Sequence, residues 1–136
     1  TYQLMESFWP VAHKDPRSTQ SILQFADKYN SIKKIIFSET LKEVKWQNSQ
    51  LADRNLQEII SELKNQEGKN ISAGSLSIAL QLFKLDLIDE FWIAVHPVVA
   101  EKGPRLFEDI DVIKKLKLID SKTLSSGVVF HHYQNI

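Results

Sequence analysis

The sequence contains no cysteine, which excludes disulfides and thiolate metal ligands and is typical of proteins in a reducing compartment. Glycine and proline are also scarce, with four of each in 136 residues, and no linker or low-complexity tract is visible. No stretch reaches the ~18 consecutive apolar residues of a membrane span. We therefore predict one cytoplasmic domain over residues 1–136, without a membrane partner.

An excess of charge of either sign is absent as well, because 17 Lys and Arg residues balance 17 Asp and Glu residues. A basic face is thus not indicated, and nucleic acid is excluded as an expected partner. Four histidines have no metal-ligand spacing, and the neighbours His131 and His132 would face opposite sides of a strand. We predict no metal site. The sequence also has no nucleophile elbow of the G-x-S-x-G type.

Three segments have apolar residues at the spacing i, i+3, i+4, i+7 that marks one face of a helix. Short polar residues that can cap such helices precede them at Ser18, Asp53 and Ser75, and Gly68 is expected to end the second helix. Residues 2–9 form a possible further helix that stops at Pro10. The three periodic sets are Ile22/Phe25/Ala26/Tyr29, Leu56/Ile59/Ile60/Leu63 and Leu76/Ala79/Leu80/Phe83.

Strand-like runs alternate with these helices. Residues 34–37 and 69–73 are short, whereas residues 90–99 are apolar on both alternating faces, as in a central strand covered by helices on both sides. Residues 115–119 and 128–133 flank a turn-rich segment and predict an antiparallel hairpin. This order predicts an α/β fold with a mixed sheet.

One strand-to-helix junction is a candidate phosphate site. Residues 70–73 pass through Gly74 into the helix that begins near Ser75, where free amides and the helix dipole favour an anion. A small residue at this junction is also needed for packing alone, and without other evidence the packing interpretation is favoured. The lysine and hydroxyl residue of a phosphate-binding P-loop are missing.

Two further segments are candidates of the same kind. Ser38, Glu39 and Thr40 follow the strand that ends at Phe37, where hydroxyls can bind a ribose or phosphate but more often make local turn bonds. Residues 97–107 leave the long strand in a loop containing Gly and Pro, and Leu106 and Phe107 are expected to fold back into the core.

Several blocks in the same order resemble the dihydrofolate reductase-like family. They resemble most closely the branch that contains the reductase domain of bacterial bifunctional riboflavin-biosynthesis deaminase-reductases and small stand-alone relatives. The likeness covers nearly the whole chain and implies a mixed, mostly parallel sheet flanked by helices, with a C-terminal antiparallel hairpin. The blocks are residues 1–5, 8–10, 37–41, 73–75, 87–91, 96–98 and 103–107.

The resemblance implies an NADPH-dependent reductase of a pterin-like or ribosylaminopyrimidine substrate that works as a homodimer. It leaves the catalytic residue unknown, and NADH remains possible as the cofactor. A non-catalytic nucleotide-binding or dimer-forming relative and a dihydrofolate reductase are the alternatives. The implied cofactor-binding residues are Thr1, Ser38, Glu39, Thr40, Ala73, Gly74, Ser75 and Leu76, and the implied substrate-binding residues are Trp9, His96 and Arg105.

The sequence departs from the family pattern at three places. The family's N-terminal strand and helix, which precede the position of Thr1, are expected to be missing. Ala73 replaces a usual glycine, and Glu39 stands where arginine is frequent. A carboxylate at that position would repel a 2′-phosphate, so the choice between NADPH and NADH stays open. For dimer formation, residues 128–130 are the expected apolar contact.

Overall fold

The computed structural model describes residues 1–107, 110 and 113–136. These residues form two compact units, Thr1–Gly74 and Ser75–Ile136. In the described part of the chain, no helix has the length and apolar character needed to cross a membrane.

The first unit combines four helices with a parallel pair of strands. A 3-10 helix at Trp9–Lys14 follows the short helix α1, and β1 and β2 pair in parallel with Ile36 opposite Leu51. The other elements are α1 (Tyr2–Glu6), α2 (Gln20–Ser31), β1 (Lys34–Ile36), β2 (Ser49–Leu51) and α3 (Leu56–Lys64).

The starts of α2 and α3 are set by residues other than the predicted caps. The Thr19 hydroxyl accepts a hydrogen bond from the Ile22 amide at 3.3 Å, one residue after the predicted Ser18. The Asn55 side chain accepts from the Glu58 amide at 2.9 Å, so the predicted cap Asp53 is wrong. Helix α3 ends at Lys64, and the predicted end near Gly68 is wrong by several residues. Both true caps are of the residue types that favour N-caps.

Aromatic side chains fill the first unit. Trp46 is buried, and its ring lies 5.5 Å from that of Tyr29, which in turn stacks on Phe25. The Trp46 indole nitrogen donates to the Asn30 side chain at 2.6 Å, so its polar end is satisfied. The Lys34 ammonium lies 4.5 Å above the Trp46 ring. Burial lowers the pKa of Lys34 below its usual value.

The second unit contains α4 (Leu76–Lys84) and an antiparallel sheet. Its strands are β3 (Glu90–Val95), β4 (Leu116–Thr123) and β5 (Val129–Asn135), in the order β3-β5-β4. The predicted hairpin of β4 and β5 is therefore confirmed. The buried Phe83 of α4 contacts Phe91 and Phe107. Leu106 and Phe107 are nevertheless 43% and 42% exposed, so the expectation that both fold back into the core is wrong.

Two predictions about strands are wrong. Residues 69–73 are not a strand, and β3 ends at Val95 rather than continuing to residue 99. The expectation that β3 is covered on both faces also fails, because Trp92 is 65% exposed while Phe91 and Ile93 are half-buried. The face that carries Phe91 packs against α4 through Phe83.

The two edges of this sheet differ in character. Along β4 lie Lys117 and Lys122, and the ladder shifts register between Leu118 and Asp120. Lysines and bulges are devices that discourage further strand pairing. The edge strand β3 has no lysine and no bulge, and its residues after Glu90 are all apolar.

The fold class is mixed α/β, as predicted. Among the described strands, parallel pairing joins β1 and β2, whereas antiparallel pairing joins all three strands of the second unit. The antiparallel share is therefore larger than the sequence suggests. The physical reason is that residues 69–73, expected as another strand, have no strand partner among the described residues.

Candidate functional site

The first candidate region is the edge of the small parallel sheet at which both strands end. Ile36 and Leu51 are paired, and the Ala52 amide donates to the Ile36 carbonyl at 2.9 Å, so the chain leaves both strands at the same side. We call residues 37–41 and 52–55 the carboxyl edge. In open α/β sheets, ligands bind in the crevice outside the carboxyl ends of the strands.

After β1, the Ser38 side chain organises a tight local turn. Its hydroxyl oxygen accepts from the amides of Leu41 at 3.1 Å and Thr40 at 3.3 Å. Its oxygen also lies 3.4 Å from the Thr40 hydroxyl oxygen. These contacts match the local-turn alternative that the sequence leaves open. Glu39, between the two hydroxyl residues, is exposed.

After β2, the side chains of the carboxyl edge bind one another. The Arg54 guanidinium lies 2.8 Å from Glu62 and 3.6 Å from Asp53. Glu62 raises the pKa of Arg54, which keeps the arginine charged and occupied. Because one cation here meets two carboxylates, Arg54 adds no net positive charge to the edge.

The second candidate region is the turn of Ala73 and Gly74. A Cβ added to Gly74 would lie 3.3 Å from the Tyr29 hydroxyl oxygen, closer than ordinary contact. That hydroxyl has only a weak partner, the Met5 sulfur at 3.9 Å. The space that glycine leaves is therefore used by Tyr29, which gives a packing reason for the glycine.

Helix α4 begins at the end of this turn. Ser75 is its N-cap, as predicted, but its side chain makes no capping hydrogen bond and instead lies 3.1 Å from the Ser77 hydroxyl. No side chain among the described residues caps the first-turn amides, and no acidic residue lies in that turn. The helix start thus has donors and a positive dipole end available to an anion.

The remaining predicted residues are spread over the chain. Thr1 is exposed at the start of α1, a helix of five residues, and its side chain makes no capping bond. Trp9 is half-buried and lies 4.8 Å from Phe25 between ring centroids. His96 and Arg105 are exposed in the loop after β3. Trp9 belongs to the first unit and the other two to the second, and the substrate roles of all three stay predictions.

The two neighbouring histidines lie on opposite faces of β5. The His132 ring stacks on Trp92 at 4.0 Å and bonds Glu90 at 3.0 Å. His131 lies 3.2 Å from the Ser121 hydroxyl. Among the described residues, no group of three or more His, Asp or Glu side chains has metal-binding geometry.

Sequence reasoning missed the second half of the carboxyl edge. The strand β2 has three residues, two of them polar, so it has no detectable alternation. The signal that was available is the polar run of Asp53, Arg54 and Asn55 directly before the periodic helix α3. Tyr29 was missed because its contact with Gly74 joins residues far apart in the chain.

The fold is of the mixed α/β class, and the family follows from comparison. The family model described as the RibD C-terminal domain matches residues 3–130. The chain therefore belongs to the RibD C-terminal domain family, as the sequence blocks predict.

Individual relatives support the same assignment. The uncharacterized protein YyaP of Bacillus subtilis is 35% identical over 118 residues, which cover 86% of this chain and 61% of YyaP. The uncharacterized protein YwjB of the same organism is 38% identical over 71 residues, 52% of this chain and 41% of YwjB. The chain thus spans 61% of the length of YyaP and 41% of the length of YwjB.

Two solved structures share the fold. A putative riboflavin biosynthesis protein from Shewanella sp. PV-4 has a TM-score of 0.69 at 20% identity. The aligned part covers 86% of this chain and 71% of the Shewanella chain. A pyrimidine reductase-like protein from Corynebacterium diphtheriae has a TM-score of 0.54 at 20% identity. The aligned part covers 75% of this chain and 49% of the Corynebacterium chain. At this identity the likeness shows the fold alone.

Proposed function

We propose that this chain is the reductase domain of a nicotinamide-dependent enzyme that reduces a pyrimidine- or pterin-like heterocycle, as in riboflavin biosynthesis. The observation that carries the proposal is the family match over residues 3–130. The two structural neighbours, described as a putative riboflavin biosynthesis protein and a pyrimidine reductase-like protein, support it.

Dinucleotide-binding residues are proposed in each unit by itself, on the carboxyl edge of the first unit and at the start of α4 in the second. The uncapped amides at Ser75 and Leu76 suit the pyrophosphate, because free N–H groups and the helix dipole attract negative charge. Ser38, Glu39 and Thr40 suit the adenosine ribose. Ala73 and Gly74 shape the turn, and the Cβ of Ala73 restricts how closely a phosphate approaches it.

The reaction is the transfer of a hydride to a C=N or carbonyl group. A reduced nicotinamide supplies that hydride, and the protein contributes orientation and the exclusion of water. Trp9, His96 and Arg105 are the proposed substrate contacts. Arginine suits a substrate phosphate because its guanidinium makes two parallel hydrogen bonds to phosphate oxygens.

The test is a spectroscopic assay of dinucleotide oxidation by the purified protein with a ribosylaminopyrimidine and with dihydropterins, including dihydrofolate. We expect turnover with the aminopyrimidine. Turnover with dihydrofolate alone would support the dihydrofolate reductase alternative. Oxidation of neither NADPH nor NADH with any of these substrates would contradict the proposal.

A non-catalytic nucleotide-binding relative is the second candidate. The contact of Tyr29 with Gly74 favours it, because the room beside the glycine is filled by protein. Ligand binding in a thermal-shift experiment without turnover in the assay would identify this case. A ligand at ~100 times its Kd adds about 2.7 kcal/mol of stability, a shift of several degrees.

A further inference from the structure

The carboxyl edge carries an excess of negative charge. Glu39 is exposed and makes no ion pair with any described residue. Asp53 is 77% exposed on its side chain, and its arginine neighbour is shared with Glu62. The positive charge of Arg54 is offset by the negative charge of Glu62. The carboxylates of Glu39 and Asp53 therefore make the net charge of the carboxyl edge negative.

The lysines that follow residues 37–41 in the chain, Lys42 and Lys45, do not make the net charge of the carboxyl edge positive. Lys45 is paired with Glu43 at 3.0 Å, and Glu43 raises the pKa of Lys45. Lys42 is exposed, and a single flexible ammonium is a weaker phosphate ligand than a planar guanidinium. The guanidinium of Arg54 is already occupied.

The position of Glu39 is fixed by the turn in which it lies. Ser38 accepts hydrogen bonds from the amides of Thr40 and Leu41, so the backbone on both sides of Glu39 is held. In dinucleotide-binding α/β folds, a carboxylate near the ribose accepts a hydrogen bond from its 2′-hydroxyl, whereas arginine accommodates a 2′-phosphate. A carboxylate also repels that phosphate.

We infer that the carboxyl edge selects a dinucleotide with a free 2′-hydroxyl, NADH rather than NADPH, and that Glu39 is the specificity-determining residue. The inference rests on the proposed function and specifies its cofactor. It departs from the NADPH that the family resemblance implies, because the described side chains of the carboxyl edge do not offer a positive site for the extra phosphate.

The experiment measures the Kd of NADH and of NADPH for the purified protein by calorimetric titration, at low and at high salt. We expect NADH to bind about tenfold more tightly than NADPH, the factor that ~1.4 kcal/mol of differential binding gives. The ratio should fall at high salt, because salt screens the repulsion between exposed charges.

The variant Glu39→Gln tests the residue itself. It should bring the two Kd values to within about threefold of each other, chiefly by improving NADPH binding. The matched control is Glu43→Gln, which removes a carboxylate of the same connection that is already paired with Lys45 and should leave the ratio unchanged. Circular dichroism of both exposed-site variants checks that the fold is retained.

Each outcome decides one claim. Tighter binding of NADPH by the unchanged protein, or an unchanged ratio in Glu39→Gln, overturns the inference while the proposed function stands. Failure of both dinucleotides to bind overturns the proposed function, and the inference falls with it. If Lys42→Gln weakens NADPH binding while Glu39→Gln has no effect, Lys42 is the determinant and the inference is wrong.

Discussion

The hydroxyl oxygen of Tyr29 gives a reason for glycine at position 74. A Cβ at Gly74 would meet the Tyr29 hydroxyl at 3.3 Å, so the hydroxyl would have to move by a few tenths of an ångström. We expect Gly74→Ala to cost more stability in the unchanged protein than in a Tyr29→Phe background. The coupling should be about 0.5 kcal/mol or more.

This comparison is informative because glycine replacement has two opposing effects. Alanine restricts the unfolded chain and so stabilises by about 0.4–1 kcal/mol where its conformation is allowed, which masks the cost of crowding. That contribution cancels between the two backgrounds. Urea denaturation of the four proteins measures the coupling, and equal costs in both backgrounds would show that the hydroxyl does not crowd the turn.

Asp15 provides a pH-dependent prediction. Its carboxylate accepts from Arg17 Nη2 at 2.9 Å, Nε at 3.0 Å and the Arg17 amide at 2.9 Å, and these bonds lower its pKa to about 2. Arg17→Ala should raise this pKa toward the usual value of about 3.9, although the amide bond remains. Carboxyl ¹³C NMR across an acid titration measures it.

The sign of the effect on stability follows from the direction of this shift. Since the pKa of Asp15 is lower in the folded than in the unfolded chain, the bonds stabilise the fold above the usual aspartate pKa. That contribution is lost as the pH falls toward about 2. A carboxyl resonance that titrates at the usual aspartate pKa in the unchanged protein would contradict the prediction.

Individual residues limited what the sequence could predict. Ser18 and Thr19 are adjacent and both suit an N-cap, and the hydroxyl of Ser18 instead donates to the Ala12 carbonyl at 2.7 Å. Asp53 and Asn55 compete in the same way. The choice depends on tertiary contacts worth about as much as the cap itself, about 1 kcal/mol, which local propensity does not contain.

At the scale of elements, the start of α3 gives a direct test of cap assignment. Asn55→Ala should destabilise the fold by about 1 kcal/mol, because the Glu58 amide loses its acceptor. Asp53→Ala should cost less than about 0.5 kcal/mol, since its exposed ion pair with Arg54 is weak. Urea denaturation of both variants distinguishes them, and a larger cost at Asp53 would restore the cap expected from sequence.

The helices and the short strand β1 were predictable, whereas β2 and the loop character of residues 69–73 were not. Apolar spacing placed α2, α3 and α4 correctly because each buries one face, with Ala26, Ile59, Ile60, Leu82 and Phe83 among the buried residues. The predictions for β2 and for residues 69–73 were wrong for the same reason. Whether a short segment forms a strand depends on the strand that it pairs with, which lies elsewhere in the chain. Because β2 was not predicted, the half of the candidate site that follows it, residues 52–55, was not predicted either.

At the scale of the molecule, the chain has two compact units, each with its own buried residues. The prediction of one domain over residues 1–136 stays a prediction. The expected homodimer contact at residues 128–130 meets a geometric limit, because β5 is paired on both sides, by β3 and by β4. Within the described sheet, β3 and β4 are the edge strands, and β3 lacks the lysines and the register shift of β4.

We therefore expect self-association through β3, measurable by sedimentation velocity at micromolar concentration. Ala94→Lys, at an exposed position of β3, should shift the population to monomer because an edge lysine discourages strand pairing. Thr123→Lys, on the β4 edge, is the matched control and should leave the population unchanged. A purely monomeric unchanged protein, or equal effects of both variants, would contradict this prediction.

The unlike edges of the antiparallel sheet also determine how large such an assembly becomes. Two copies joined at β3 by a two-fold axis leave β4 outermost at both ends, where lysines and the register shift oppose a third copy. Growth is therefore self-terminating, whereas a sheet with two open edges polymerises without limit into fibres. Loss of Lys117 and Lys122 together would remove one of these two obstacles and leave the register shift as the other.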